Sequence, residues 1–240
     1  MAEGYSDRRG VVIVAGGSGK RMGGGLPKQF RMVGTLPVLG QSINLFARAY
    51  RGIDIIVVLP ADKIDFWKNL AARFDIAPHR CVAGGEERFH SVLRGIEALS
   101  PAIDLIAIHD GVRPLASEEL IRRCFECAAE NGSAVPAIAP PDSYRVVRDG
   151  HSYPIDRSAL RIIQTPQVFR SDILRQAYEQ PFDRSFTDDA SVVERMWSRG
   201  ERQISLCEGE RTNIKLTTPD DFTIAEAIIS QRNGAESESI

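Results

Sequence analysis

The sequence VVIVAGGSGKRMGGGLPK, residues 11–28, determines how the rest of the chain is interpreted. It begins as an apolar run rich in β-branched residues, which predicts a buried β-strand. The run ends in glycines, whose backbone N–H groups can face an anion with no Cβ in the way. Three cations, Lys20, Arg21 and Lys28, lie in the same segment. A strand that leads into a glycine loop with positive charge favours a polyphosphate site.

The loop departs from the two common phosphate-binding patterns. A P-loop requires Gly at position 14 and Ser or Thr at position 21, where the chain has Val14 and Arg21. The dinucleotide-binding pattern requires Gly at position 22, where Met22 stands. An ordinary P-loop NTPase or dehydrogenase is therefore disfavoured. Glycines that merely turn a strand into a helix are the structural alternative.

Composition narrows the class of protein. The chain has 240 residues, with 30 Lys and Arg against 32 Asp and Glu, so broad nucleic-acid binding is disfavoured. No apolar run reaches the length of a membrane span, and residues 1–10 lack the apolar core of a signal peptide. We therefore expect a cytoplasmic protein with one domain, residues 1–232, followed by a disordered tail, residues 233–240.

The four cysteines are too few for a disulfide framework in a chain of this length. Cys124 and Cys127 form a C-x-x-C pair, which could indicate a redox or zinc site. However, they share a predicted helical face with Leu120 and Ile121, and no second Cys/His pair accompanies them. Packing in the core is the favoured interpretation.

Strands and helices alternate along the first half of the chain. Buried strands are predicted at residues 53–60, 80–83, 104–108 and 134–139, with helices between them. This alternation predicts a Rossmann-like α/β fold, a mostly parallel sheet with helices on both faces. Ligands of such sheets bind beyond the carboxyl ends of the strands. The loops at 16–28, 84–91 and 109–114 all follow strands, so we expect them to converge.

Local signals predict several further features. Asp62, Ser117 and either Thr187 or Asp188 are expected to cap helices, and Pro219 to begin the last one. Residues 203–207 and 213–216 are expected to be short strands. Residues 144–156 form a predicted hairpin around Asp149-Gly150, part of a β-arm at about 140–158. An isolated hairpin is barely stable, so we expect it to lean on a second subunit; a solvated arm of the monomer is the alternative.

Several motifs together resemble the cytidylyltransferases that act on polyol phosphates. They are AGGSGKRM at 15–22 with PKQ at 27–29, HDGVRP at 109–114, DR at 156–157, TPQ at 165–167, TDDAS at 187–191 and NIK at 213–215. The similarity extends from about Val11 to Ile229. Within the family it favours members that act on methylerythritol phosphate in non-mevalonate isoprenoid synthesis over those that act on ribitol phosphate.

The resemblance implies CTP and a polyol phosphate as substrates, Mg²⁺ held mainly by the CTP phosphates, and a homodimer joined through the arm. It implies catalytic roles for Arg21, Lys28 and Lys215. It places the nucleotide on Ala15, Gly16, Gly17, Ser18, Gly19, Gly85, Glu86, Ser91 and Gly111. It places the polyol phosphate on Asp110, Arg113, Ser143, Arg157, Thr165 and Thr187, with Ser143 and Arg157 supplied by the partner. The chain departs from the family pattern at Val14, Gly16, Glu86 and Ser143, where Pro, Ala, Asp and Thr are common.

The chemistry of the expected reaction requires no general base. A phosphate monoester is largely a dianion at pH 7, since its second pKa is about 6. The transition state instead requires that the substrates are positioned correctly and that positive charge surrounds the α-phosphate. His109 is therefore predicted to be structural rather than a base. A non-catalytic nucleotide-sensing subunit is the alternative from another class of protein, and the three retained cations disfavour it.

Overall fold

The computed structural model describes residues 8–16, 26–197 and 202–237, with side chains as far as Arg232. The strands are β1 (Arg9–Val14), β2 (Met32–Val33), β3 (Leu36–Pro37), β4 (Asp54–Leu59), β5 (Arg80–Ala83), β6 (Leu105–Asp110), β7 (Ser133–Ile138), β8 (Arg145–Arg148), β9 (His151–Pro154), β10 (Ile162–Ile163), β11 (Gln167–Arg170) and β12 (Leu206–Glu208). The helices are α1 (Val38–Ala49), α2 (Ile64–Ala71), α3 (Arg88–Ala98), α4 (Glu118–Asn131), α5 (Ser171–Ala177), α6 (Asp189–Met196) and α7 (Pro219–Ser237).

The central sheet confirms the predicted α/β class. Its strand order is β10-β7-β11-β6-β1-β4-β5, with β12 paired to β7. Strands β6, β1, β4 and β5 are parallel, while β11 runs antiparallel between β6 and β7. The sequence did not predict β11, and its insertion makes the sheet mixed. Thr165-Pro166, a cis peptide, separates β10 from β11.

Helices cover both faces of the sheet, as the alternation predicted. Alternate side chains of β1 point to opposite faces: Val11 and Ile13 pack under α1 and α4, and Val12 packs under α3. The strands β1, β4 and β6 are buried along nearly their whole length, which is why their sequences are continuous apolar runs. Trp67 is fully buried in the first of these layers.

The helix starts follow the sequence signals with one exception. The Ser117 hydroxyl accepts a hydrogen bond from the Leu120 N–H, and Asp188 caps α6 in a capping box with Ser191. The prediction that Asp62 caps a helix is wrong, because residues 61–63 form a 3-10 turn in which no side chain caps the helix. Asp62 instead pairs with Lys63.

Two predictions near the C-terminus are also wrong. Residues 213–216 are not a strand: the buried Asn213 side chain bonds the Thr165 carbonyl, and the Leu216 N–H donates to the Val112 carbonyl. These contacts to two different loops replace a strand ladder. The tail prediction fails for residues 233–237, which continue α7 although the segment contains Asn233 and Gly234, two residues of low helix propensity. A helix that is already nucleated can extend through such residues. Residues 238–240 lie outside the described part.

The cysteine pair belongs to the core, as predicted. Cys124 is fully buried, and Cys127 packs against the same cluster. The described residues include no group of three or more His, Cys, Asp or Glu side chains that could hold a metal ion. In the same residues, no helix is both long enough and apolar enough to cross a membrane.

The predicted hairpin is present. Strands β8 and β9 pair only with each other among the described strands, and Asp149 and Gly150 form the turn with positive φ angles of 49° and 76°. Its apolar side chains are exposed: Val147 is 70% and Tyr153 54% accessible.

Candidate active site

The loops that follow β1, β5 and β6 begin side by side at the carboxyl edge of the sheet. The Gly111 N–H donates to the Val14 carbonyl at 2.9 Å, and the Ala15 N–H donates to Val58 at 2.9 Å. The Gly84 N–H donates to Leu59 at 2.7 Å. The expected convergence of the loops after residues 14, 83 and 110 is therefore observed at their starting points.

Close packing accounts for Gly111. A Cβ at this position would lie 3.1 Å from the Ala15 Cβ, so a larger residue would separate the ends of β1 and β6. The Ala15 carbonyl accepts a hydrogen bond from the buried Gln29 side chain at 2.9 Å. This bond places the Lys28–Phe30 turn beside the end of β1. Lys28 is thus half-buried at the expected edge of the sheet.

The turn after β5 is held by Ser91. Its hydroxyl accepts a hydrogen bond from the Gly85 N–H at 3.1 Å. A Cβ on Gly85 would lie 2.4 Å from the Cβ of His90, so this position admits only glycine without a shift of α3. Arg94 donates to the Gly84 carbonyl and fixes the turn from its other side. Glu86 is exposed on this turn.

A cleft of about 330 Å³ opens beside the end of β6. The structure brings together five of the predicted site residues here: Asp110, Arg113, Thr165, Thr187 and Lys215. The cleft is also lined by Arg88, Ile163, Gln164, Gln167 and Asp188, none of which the sequence assigned to the site. Three of them could have been found from the sequence, because Gln164, Gln167 and Asp188 lie within two residues of the predicted site residues Thr165 and Thr187.

Asp110 is the electrostatic centre of this cleft. Its Oδ2 atom lies 2.9 Å from the Lys215 Nζ and 3.4 Å from the Arg113 Nε. Burial alone raises the pKa of the Asp110 carboxyl, but the surrounding cations, led by Lys215, lower it to about 2. Asp110 is therefore ionised at neutral pH and can only accept hydrogen bonds.

The segment that carries Lys215 is held by buried polar contacts. The Arg113 Nη1 donates to the Asn213 carbonyl at 2.8 Å, and the Asn213 side chain donates to the Thr165 carbonyl at 2.9 Å. The Gln164 amide donates to the Glu210 carbonyl at 2.7 Å. These bonds join three loops that are far apart in sequence. Lys215 itself is 44% exposed, so its ammonium can meet a ligand.

His109 is structural, as predicted. It is fully buried, its Nε2 lies 3.1 Å from the Arg113 carbonyl and its Nδ1 lies 3.2 Å from the Thr165 hydroxyl. Burial lowers the pKa of His109 to about 4, although the Asp110 charge acts in the opposite direction. A neutral ring must donate to the carbonyl through Nε2 and accept from Thr165 through Nδ1. His109 thus orients the Thr165 hydroxyl.

The remaining predicted residues lie elsewhere. Ser143 and Arg157 are exposed on the arm and are not among the residues that line the cleft of their own chain. The Arg157 guanidinium donates to the Pro141 carbonyl at 2.8 Å. Gly16 is exposed, with open space where a Cβ would be. Gly17, Ser18, Gly19 and Arg21 lie outside the described residues, so the meeting of Arg21 with Lys28 and Lys215 stays a prediction.

Comparison with known proteins identifies the family. The sequence model of the 2-C-methyl-D-erythritol 4-phosphate cytidylyltransferase family matches residues 10–231, nearly the whole chain. The chain belongs to this family. Among its relatives, the 2-C-methyl-D-erythritol 4-phosphate cytidylyltransferase from Bacteroides thetaiotaomicron is 44% identical over 223 residues, covering 92% of this chain and 100% of the relative. The one from Bacteroides fragilis is 45% identical, covering 92% and 99%.

Solved structures of methylerythritol phosphate cytidylyltransferases share the fold. The 4-diphosphocytidyl-2C-methyl-D-erythritol synthase from Anaerococcus prevotii superposes with a TM-score of 0.77 at 30% identity, covering 93% of this chain and 98% of that one. The Thermus thermophilus cytidylyltransferase gives a TM-score of 0.72 at 30% identity, with coverages of 93% and 99%. The resemblance inferred from the motifs is thereby confirmed at the level of the family.

Proposed function

We propose that the protein transfers CMP from CTP to 2-C-methyl-D-erythritol 4-phosphate, releasing pyrophosphate, in isoprenoid biosynthesis. The observation that carries the proposal is the cleft at the carboxyl edge of the sheet. There, Asp110, Arg113 and Lys215 come together at the end of β6, which pairs with the end of β1. The family to which the chain belongs is named for this cytidylyl transfer, which supports the proposal.

The phosphate of the acceptor is the nucleophile of the reaction. One of its oxygens attacks the α-phosphorus of CTP, a new P–O bond forms, and the bond from the α-phosphorus to the bridging oxygen breaks. The leaving group is pyrophosphate. Because the monoester is largely dianionic at pH 7, no base is required. The buried, neutral His109 agrees with this, as it faces the protein rather than the cleft.

Positive charge around the phosphates stabilises the transition state. The ammonium of Lys215 is both anchored and accessible, since Asp110 holds it at 2.9 Å while 44% of the side chain is exposed. Arg113 is mostly buried and bonded on two sides, so it shapes the site. Lys28 and Arg21 are assigned the CTP phosphates. The ionised Asp110 is assigned the hydroxyls of the polyol.

The donor set of the cleft fits a Mg²⁺ ion whose ligands are mainly phosphate oxygens. The two carboxylates of the cleft already have partners: Asp110 pairs with Lys215, and Asp188 accepts from Ser191 and Gln167. Bound Mg²⁺ supplies further positive charge to the phosphates of CTP. The chain's own contribution is to leave room for that ion and to complete the charge with lysine and arginine.

The arm suits a homodimer in which Ser143 and Arg157 reach the partner's cleft. Its support is the exposed apolar surface of an otherwise unpaired hairpin, which is barely stable in water by itself. Val147→Asp places a charge on this surface, and we expect it to shift the protein to monomer in analytical ultracentrifugation. Ile224→Asp, which places the same charge on an exposed apolar residue of α7 instead of the arm, is the matched control. A dimer that persists in Val147→Asp contradicts this assignment.

The test of the proposed function is pyrophosphate release by the purified chain with CTP and Mg²⁺. Three reactions are compared: methylerythritol phosphate, ribitol 5-phosphate and no acceptor. We expect turnover with the first and little with the others. Release with ribitol 5-phosphate at an equal or greater rate contradicts the assigned acceptor, and no release with either contradicts the activity. A cytoplasmic location is part of this proposal.

A further inference from the structure

Arg88, the first residue of α3, links two parts of the site. Its guanidinium lines the cleft and forms a two-pronged ion pair with Asp189, at 2.9 Å from Nη1 to Oδ1 and 2.6 Å from Nη2 to Oδ2. The Asp189 side chain is completely buried, while 34% of the Arg88 side chain is exposed. A paired geometry of this kind fixes the orientation of both groups.

The buried end of this pair is fully bonded. The Tyr178 hydroxyl donates to the Asp189 Oδ1 at 2.7 Å, so the carboxylate accepts three hydrogen bonds. Burial raises the pKa of Tyr178 well above its ordinary value, so the phenol stays a donor. The Asp189 carboxylate is thus a fixed anchor and Arg88 is the group that it holds.

The two neighbouring acids of α6 point in different directions. Asp188 caps the helix and accepts from the Gln167 amide at 2.9 Å, which ties α6 to β11. Asp189 ties the same helix turn to α3 through Arg88. Thr187 directly precedes them and lines the cleft. The Thr187 N–H donates to the Ser191 hydroxyl at 3.0 Å, so Thr187 is attached to the start of α6 and its position follows from the two contacts that hold this helix.

The other end of the link is the turn after β5. Arg88 follows this turn, which is separately fixed because Ser91 binds the Gly85 N–H and Arg94 binds the Gly84 carbonyl. A change at Arg88 should therefore displace Thr187 and the start of α6 more than it displaces Gly85. The turn after β5, which is assigned to the nucleotide, keeps its contacts with Ser91 and Arg94 when Arg88 is changed. The start of α6, which carries Thr187, loses its contact with α3.

We propose that Arg88 is a positioning residue, which acts through Asp189 to hold Thr187 against the acceptor phosphate while CTP occupies the neighbouring turn. This inference rests on the proposed function, because it assigns the two substrates to the two sides of the pair. It predicts that Thr187 is held in place by the two parallel hydrogen bonds of the guanidinium. A positive charge alone does not suffice, since an ammonium cannot form both bonds in this geometry.

The experiment compares Arg88→Lys with the wild type in steady-state pyrophosphate release. A misplacement of about 1 Å can cost 10²-fold in rate. We expect kcat to fall about 10- to 100-fold and the KM for methylerythritol phosphate to rise about 10-fold, while the KM for CTP changes less than threefold. The retained charge keeps Asp189 paired, so the variant should fold. A loss of stability with unchanged kcat and KM values would show a purely structural pair and overturn the inference.

The matched control is Arg80→Lys. Arg80 also pairs with a carboxylate, but through a single nitrogen: its Nη2 lies 2.9 Å from the Asp54 Oδ1 and 2.8 Å from Oδ2. The pair lies where β4 and β5 begin, at the opposite edge of the sheet. We expect this variant to keep wild-type kcat and both KM values. Equal losses in both lysine variants would contradict a specific role of Arg88.

A double variant separates action through Asp189 from direct contact with the substrate. If Arg88 acts through Asp189, Arg88→Lys combined with Asp189→Asn loses no more kcat than the worse single variant. Multiplied losses would show that Arg88 contacts the substrate itself, and would overturn the inference. If Arg88→Lys alone does not fold, Arg88→Gln with Asp189→Asn removes both charges, and the same KM split is expected of it. A wild type without turnover would instead reject the proposed function.

Discussion

Replacing Lys215 by Met removes the most exposed cation that lines the cleft and keeps a side chain of similar length. The Nζ lies 2.9 Å from the Asp110 Oδ2, and two unit charges at that distance attract by about 1.4 kcal/mol at the dielectric constant of water and by about 6 kcal/mol at an effective value of about 20. Because 44% of the Lys215 side chain is exposed, the smaller figure is the better guide. One pKa unit corresponds to about 1.4 kcal/mol. We expect the pKa of Asp110 to rise by about one unit.

The effect of Lys215→Met on turnover should be larger than its effect on the ground state. A lost donor to developing charge in a transition state costs about 3–4 kcal/mol, so kcat should fall about 10²- to 10³-fold. Pyrophosphate release measures kcat, and an NMR titration of the carboxyl carbon measures the pKa of Asp110. Circular dichroism should show an unchanged fold.

Lys68→Met is the matched control for this variant. Lys68 lies on α2, its Nζ is 4.0 Å from the Asp65 carboxylate, and 63% of its side chain is exposed. Turnover should remain at the wild-type level. If Lys215→Met keeps more than a tenth of wild-type kcat while folded, the electrostatic role assigned to Lys215 is refuted.

Three other changes test separate parts of the account. Since burial lowers the pKa of His109 to about 4 while the unfolded value is about 6.5, the unfolded chain binds an extra proton in between. Urea unfolding should therefore show stability rising from pH 4 to 6.5 by up to about 3 kcal/mol, and His109→Gln should lose that slope; an unchanged slope contradicts the assignment. Gly85→Ala must displace His90, whose Cβ would lie 2.4 Å away, so the KM for CTP should rise about 10-fold or more, and an unchanged KM argues against this turn as the nucleotide site. Arg157→Lys loses the guanidinium fork and should raise the KM for the polyol phosphate more than that for CTP, whereas equal effects contradict its assignment.

Much of the fold follows from the hydrophobic pattern. The strands β1, β4 and β6 are buried on both faces, so their sequences are nearly uninterrupted apolar runs that stand out from the rest. The glycines that follow predicted strands also indicated at which edge of the sheet the site would form. These features are local, and a local pattern is what a single sequence displays.

The antiparallel insertion of β11 depends on distant contacts. Gln167–Arg170 has four residues, and its neighbours β6 and β7 are more than twenty residues away in sequence. No periodicity in so short a segment indicates direction. The strand prediction for residues 213–216 was wrong because a local pattern misled it. Their apolar residues alternate as in a strand, but the buried Asn213 amide binds another loop.

The same distinction applies to the site. Asp110 and Arg113 could be predicted because they belong to one short motif at the end of a buried strand, and that motif resembles the family's. Arg88 could not, because its role depends on Asp189, 101 residues later, and on the burial of that carboxylate. A lone arginine at the start of a helix carries no sequence signal that a buried partner holds it.

The measurement that tests the central claim most directly is the fate of the acceptor's own phosphate oxygens. Methylerythritol phosphate labelled with oxygen-18 in its phosphate is mixed with CTP, Mg²⁺ and the enzyme, and the products are followed by phosphorus NMR. If the acceptor phosphate attacks the α-phosphorus, all of the label stays in the cytidine diphosphate alcohol and the pyrophosphate carries none. Label in the pyrophosphate, or release of CMP without a labelled diphosphate, would contradict the account.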